Sequence, residues 1–362
     1  MLCVVSPLAL FWVRLSPLPP LWVLGVVLVW ATLSLTWTTV FDDGVYELAQ
    51  LAVIAGCFAL GSACSSLRSL YTGAAYGLAI SSGVAILQYL GYDVVQTTQI
   101  VADTGPHRLP PSGLFINPDF LGEICIVVLI GLVIYRPSPT EGSKAPQYWT
   151  TILVLPGLLL SQSRTAMVAA AICVLAYVVP RAMWKSFLAI PLLIAIVYAI
   201  SPYKWHVLTM GGGRLDLWID TVQGLSFWGH GVGSFYTTFI KYATHVDTFH
   251  YQPDTAHNDY LQFIFEFGFP AALVMAATLS VVWWKAFESE RLVLLAFAVI
   301  AMFAFPLHNP ATAAVFGIVA GHAARNWNNL RFSLGSRGLS LYSGSGQAYT
   351  DRVGGGTETV SL

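Results

Sequence analysis

His257, Asn258 and Asp259 open an apolar segment that carries Glu266 inside it, in the stretch DTAHNDYLQFIFEFGFPAALV, residues 254–274. A neutral imidazole, with an ordinary pKa of about 6.5, can take a proton from an attacking hydroxyl, which is general-base chemistry. On a helix, Asn258, Gln262 and Glu266 recur every four residues and make one polar stripe along a lipid-like segment. Such a stripe faces a bundle interior or a wet cavity, because a charge at the bilayer centre costs ~2.5–3.5 kcal/mol on insertion scales. Asp254 or Thr255 is placed to cap this helix, and Gly268 and Pro270 to break it. Two arginines offer a second chemistry. Arg164 lies in LSQSRTAMVAA and Arg214 opens GRLDLWIDTVQG. Taken singly, Arg164 reads as a snorkelling interface anchor and Arg214 as a solvated loop charge. On one face together, two planar guanidiniums suit bidentate phosphate binding, and a pyrophosphate at the membrane edge is the matching anion. His308, in FAFPLHNPATAA, lines the same cavity or caps a helix. Glu123, in NPDFLGEICIVV, is positioned to pair with an arginine. His245, His250 and His257, with Asp247 and Asp254 nearby, match no standard metal spacing, so no metal is expected.

The elements that must hold these residues follow from composition. Of 362 residues, 56% are hydrophobic and only 10% charged, against about 25% charged in soluble domains. Too little polar surface is present for a soluble protein of this size, and a polytopic membrane protein is implied. The net charge of -1, with no basic arm, leaves nothing for nucleic acid. The five cysteines lie in apolar runs without metal or disulfide logic. Candidate spans are 20–38, 46–65, 69–91, 118–135, 147–162, 165–180, 186–201, 257–284, 291–306 and 309–325, with a partial one at 2–13. The fold class expected is an all-α, polytopic transmembrane bundle of about 10–11 spans. Arg14 follows the first apolar run rather than preceding it, which suits a shortened first span better than a cleaved signal peptide.

With Arg14 cytoplasmic, alternation puts twelve of the seventeen Lys and Arg on that side. Only Arg108, Arg164, Lys204, Arg214 and Lys241 fall outside, with the Asp42–Asp43 loop and seven of the eight histidines. The chain therefore divides into N-terminal transmembrane helices (1–201), a large outer, periplasmic loop (202–256), C-terminal transmembrane helices (257–325) and a Gly/Ser-rich cytoplasmic tail expected to be disordered (326–362). Leu215, Leu217, Trp218, Ile219, Val222 and Leu225 mark an amphipathic helix in the loop, lying along the membrane surface and closed by Gly229, Gly231 and Gly233.

In order along the chain, GLFINPDFLG, SRTA, GRLDLW with GHGVGSF, AHNDYLQFIFEFGFPAAL and FPLHNPATAA resemble the motifs of the O-antigen ligase and O-antigen polymerase superfamily, which includes O-oligosaccharyltransferases. The resemblance covers about residues 110–325. It implies a metal-independent, inverting membrane glycosyltransferase with no cofactor. Its donor would be an undecaprenyl-diphosphate-linked glycan and its acceptor a glycan or lipid A core. The chain would lie among membrane lipids of the bacterial inner membrane, with its site on the periplasmic face. By the same resemblance, Arg164 and Arg214 hold the donor diphosphate, His257 activates the acceptor hydroxyl, and Asn258, Asp259, Glu266 and His308 shape the site. Ligase-like or polymerase-like transfer is expected. A protein O-oligosaccharyltransferase of the same superfamily, or a transporter or flippase for an anionic lipid or solute, is the alternative. Transporters commonly carry inverted repeats, and the sequence has no second copy of the Arg-Arg-His arrangement.

Overall fold

The computed structural model describes residues 19–92, 110–134, 145–178, 214–245, 253–325, 330–335 and 338–343. The expected spans 2–13 and 186–201, loop residues 202–213, Asp247, His250 and the tail after 343 lie outside the described residues. Helices α1 (Pro19–Ser34), α2 (Phe41–Ala63), α3 (Arg68–Tyr89), α4 (Pro118–Ile134), α5 (Ala145–Ser161) and α6 (Arg164–Val178) form the first part. After them come α7 (Arg214–Gln223), α8 (Phe235–Phe239), α9 (Asp259–Lys285), α10 (Glu288–Phe303) and α11 (Pro310–Ala324). Nine of the ten full expected spans coincide with a described helix. Of these, α2, α3 and α9 are long and apolar enough to cross a membrane, and α1, α5, α6 and α11 contain shorter apolar helices. The all-α membrane architecture is thus observed. A small antiparallel hairpin, β1 (Leu330–Gly335) with β2 (Gly338–Ser343), stands in the segment expected as tail. Its residues alternate apolar and polar, the period of a strand.

One boundary differs instructively. Asp42 and Asp43, expected in a loop, occupy the first turn of α2. Carboxylates there oppose the positive end of the helix dipole, so the helix starts earlier than its apolar stretch.

Helix α4 is the axis of the bundle: Leu121 and Ile124–Ile130 are all buried among α3, α5, α6, α10 and α11. A helix apolar all round belongs inside, and this one is. Ser81 and Gln88 of α3 set its entry. Gln88 Oε1 accepts from the amides of Ser112 (3.1 Å) and Gly113 (2.8 Å), and Ser81 Oγ accepts from Leu114 (3.0 Å). Elsewhere α2 and α11 approach backbone to backbone. A Cβ on Gly61 would strike the Ile318 carbonyl, and one on Gly321 the Phe58 carbonyl. Close approach through small residues is how helices associate in lipid, where no hydrophobic force separates helix from solvent.

Helix α9 is two helices joined at Gly268, whose φ of 79° and ψ of 175° are not helical. Pro270 has no N–H, and the Phe269 amide turns away to donate to Phe227 O (3.0 Å). The carbonyls this frees must find donors. His230 N donates to Phe265 O (3.0 Å), Gly231 N to Glu266 O (2.9 Å) and Trp30 Nε1 of α1 to Phe267 O (3.0 Å). The loop reaches α9 this closely because Gly229, Gly231 and Gly233 all take positive φ, open to glycine without penalty. The glycine cluster read as a turn is therefore a strap across a broken helix.

Candidate functional site

The polar site forms where the N-termini of α4, α7 and α9 meet the connection between α10 and α11. The N-cap of α9 is Asn258, whose Oδ1 accepts from Leu261 N at 3.0 Å. Neither Asp254 nor Thr255 takes that role, a correction to the expected cap. The segment before the helix turns sharply: His257 has φ 47°, in the left-handed region. Histidine is among the side chains enriched there, yet such a backbone persists only where its surroundings fix it. Two contacts do so. Ala256 N donates to Gln262 Oε1 (3.1 Å), and Ala256 O accepts from Trp218 Nε1 of α7 (3.0 Å). The His257 ring packs edge-on against Phe305, centroids 5.0 Å apart, and Phe305 in turn meets Phe120 of α4 at 5.3 Å.

Arg214 begins α7 and donates through Nη1 to Phe303 O at 2.9 Å. That carbonyl ends α10, where the helix dipole favours a cation. Among the described residues, one of the five guanidinium N–H groups is so engaged. Burial, and then the Arg214 charge, push His257 below its usual pKa, with Asp254 and Asp119 opposing. The structure therefore brings Arg214 and His257 into one electrostatic neighbourhood, with the imidazole neutral at neutral pH.

Arg164 is the third residue of the expected set. It is exposed at the start of α6 and makes no hydrogen bond or ion pair with a described residue. Its turn is nonetheless packed onto α4: a Cβ on Gly122 would lie 2.6 Å from Ser161 Oγ and from Ser163 Cβ. The next residue, Glu123, is fully buried, and neither of its oxygens has a hydrogen-bond partner among the described residues. Asp119, Asp259 and Arg214 all act on it electrostatically, but it forms no ion pair with an arginine among the described residues.

The polar stripe of α9 points inward. Asp259, Gln262 and Glu266 are each at most 5% exposed. Glu266 Oε2 accepts from Gly233 N (3.1 Å), and Oε1 from Gln262 Nε2 (3.3 Å). His308 is where the lines cross. Its Nδ1 lies 3.2 Å from Asp259 Oδ1, and its Nε2 3.4 Å from Glu47 Oε1 and 3.2 Å from Gln262 Nε2. Of its two expected roles, lining a cavity is the one it fills, while Asn309 caps α11. The cavity, of about 40 Å³, lies between α2 and α9 and is lined by Glu47, Gln50, Asp259, Gln262, Glu266 and His308 among others. Burial works against a charged His308, yet hydrogen bonds from it to Asp259 and Glu47 hold its pKa well above the ordinary value. Among the described residues no cluster has the arrangement of metal ligands.

Sequence reasoning missed Glu47. The only signal was a carboxylate two turns into an apolar span, on a helix that has two other acids in its first turn. It also left Asp220 of α7 unread. Asp220 is completely buried and accepts from Thr244 Oγ1 (2.6 Å) and His245 Nδ1 (2.8 Å), while Leu215, Ile219 and Val222 point outward.

These features define a polytopic helical membrane protein with a basic and imidazole-bearing polar site at one end of its bundle. Residues 149–276 match the family model of the O-antigen ligases, named Wzy_C. The match covers about a third of the chain and is a likeness of that segment to the O-antigen ligases. It spans Arg164, Arg214, His257 and Glu266; Glu47, Glu123 and His308 lie outside it. No curated protein matches the chain.

Proposed function

We propose that the protein transfers a saccharide from an undecaprenyl-diphosphate-linked donor to an acceptor hydroxyl, on the periplasmic face, in ligase-like or polymerase-like fashion. The observation that carries this reading is a half-buried imidazole seated on Phe305, within the electrostatic reach of a guanidinium anchored on Phe303 O. His257 takes the proton of the acceptor hydroxyl as that oxygen attacks the anomeric carbon from the face opposite the diphosphate, with inversion. Arg214 and Arg164 neutralise the charge that grows on the departing diphosphate. A lipid diphosphate is already a good leaving group, so a positioned base and positioned acceptor are the remaining needs, and no metal is required.

The test is His257→Ala in the native host. A general base contributes roughly 10²–10⁴ in rate. Surface glycan should fall by that order while the protein still accumulates in the membrane. Normal glycan display would remove His257 from the mechanism. The kind of glycan lost, whole polysaccharide, chain length beyond one repeat, or glycoprotein, distinguishes the acceptors.

A further inference from the structure

We infer that Glu47 of α2 is a positioning residue for the candidate base: through His308 it holds Asp259, and with it the strained backbone that presents His257. The inference rests on the transfer reading above and adds to it a residue outside the segment that matches the O-antigen ligases.

The path is short and made of few atoms. Glu47 Oε1 meets His308 Nε2 at 3.4 Å, and His308 Nδ1 meets Asp259 Oδ1 at 3.2 Å. The other oxygen of Asp259 accepts from the amide of Leu307 at 3.0 Å. Asp259 thus ties the first turn of α9 to the segment 305–308, and that segment also supplies Phe305, the ring against which His257 packs. His257 stands two residues before Asp259, with a positive φ held by the bonds of its neighbour Ala256 to Gln262 of α9 and Trp218 of α7. Moving Asp259 moves both walls of the imidazole's seat.

The charge balance explains why Glu47 matters beyond sterics. The charged groups facing His308 are Glu47 from α2 and Asp259 and Glu266 from α9, with neutral Gln262 beside them. A cationic His308 can bond both flanking carboxylates at once, because both ring nitrogens are then donors. A neutral His308 has one N–H and must release one carboxylate. Glu47 keeps the ring in the doubly donating form and so keeps Asp259 bonded.

The experiment uses the full chain in membranes of its native host, with lipid-linked glycan extracted from the same strain as donor. Glu47→Gln keeps size and removes charge. The expected result is a fall in kcat of roughly ten- to a hundredfold, the scale known for outer groups that orient a ligand imidazole, with donor KM within about twofold. The high-pH limb of activity should move to lower pH, since His308 loses its proton more easily without Glu47. Glu47→Asp, which restores the charge, should recover part of kcat and return the limb. Histidine ¹⁵N resonances of the chain in nanodiscs give a readout independent of turnover: His308 should titrate lower in Glu47→Gln, and the His257 ring signal should shift. A kcat, pH limb and His257 signal like those of the parent would overturn the inference. If Glu47→Gln fails to insert, His308→Gln reads the same link, and a parental His257 signal there would overturn it equally. Transfer that survives His257→Ala fails the transfer reading itself, whereas loss in His257→Ala with an unaffected Glu47→Gln fails only this inference.

Discussion

The two halves of α9 share one helix and obey opposite rules. Before Gly268, the inward positions are Asp259, Gln262, Phe265 and Glu266, nearly without exposure and bonded to the glycine strap and the 305–308 segment. After it, Leu273 is 72% exposed and Trp284 70%, apolar side chains aimed outward. The first half is polar and enclosed, as a functional site in a membrane must be; the second is apolar and exposed, as a lipid-facing surface is. One residue with a backbone few others adopt divides them. The comparison teaches that the site is enclosed by neighbours brought in around a break, and that helix length alone does not reveal this.

Exchanging character across the boundary is the strongest way to break the comparison. Leu273→Glu places a charge on the lipid face and should cost ~2.5–3.5 kcal/mol of insertion free energy, measured by the glycosylation-tagged insertion of that segment. The same substitution at an enclosed, carboxylate-tolerant position would cost less. Next in size is the boundary. Gly268→Ala forces a Cβ into the Phe227 carbonyl at positive φ, and should lose about 2 kcal/mol or more, seen as a lower Tm in lipid. An unchanged Tm would mean that the strap is not fixed as described.

Titration should divide the halves as well. His257 is pushed below its usual pKa, so its base form is present above that value and is lost as pH falls through it. Transfer should therefore persist at pH 6.5, the ordinary imidazole value, and fall off only at more acid pH. His308 is raised, so the tie it makes is complete below about 6.5 and loosens as pH rises through its elevated value. Amide exchange should report loosening at residues 257–266 and none at 273–285. The smallest effect belongs to Leu273→Ala, expected within ~0.5 kcal/mol on the exposed face, with unchanged transfer.

Much of this was legible in the residues. Apolar run length located nine helices, since lipid leaves a segment little choice but to close its own hydrogen bonds. The four-residue spacing of Asn258, Gln262 and Glu266 announced an inward stripe, and Gly268 with Pro270 announced a break. Three things were hidden. Asn258 displaced Asp254 and Thr255 as cap because a positive φ at His257 delays the helix by a turn, and that φ comes from tertiary contacts. Glu47 looked like a stray charge, because its partner His308 is more than 250 residues away. Asp220 of α7 faces inward to hold Thr244 and His245, a pairing that no local pattern encodes.

The glycine seam between α2 and α11 has a reach beyond its own turn. Gly61 lies fourteen residues after Glu47, about 20 Å along the helix at ~1.5 Å per residue. Gly317 and Gly321 follow His308 on the facing helix. Where two rods touch without side chains between them, the gap at the near end is gauged by the contact at the far end. A methyl group introduced at Gly321 would act as a wedge, prying Glu47 from His308 across most of the bilayer's thickness. The spacing of the acid–imidazole link is thus set at the far end of the helix pair.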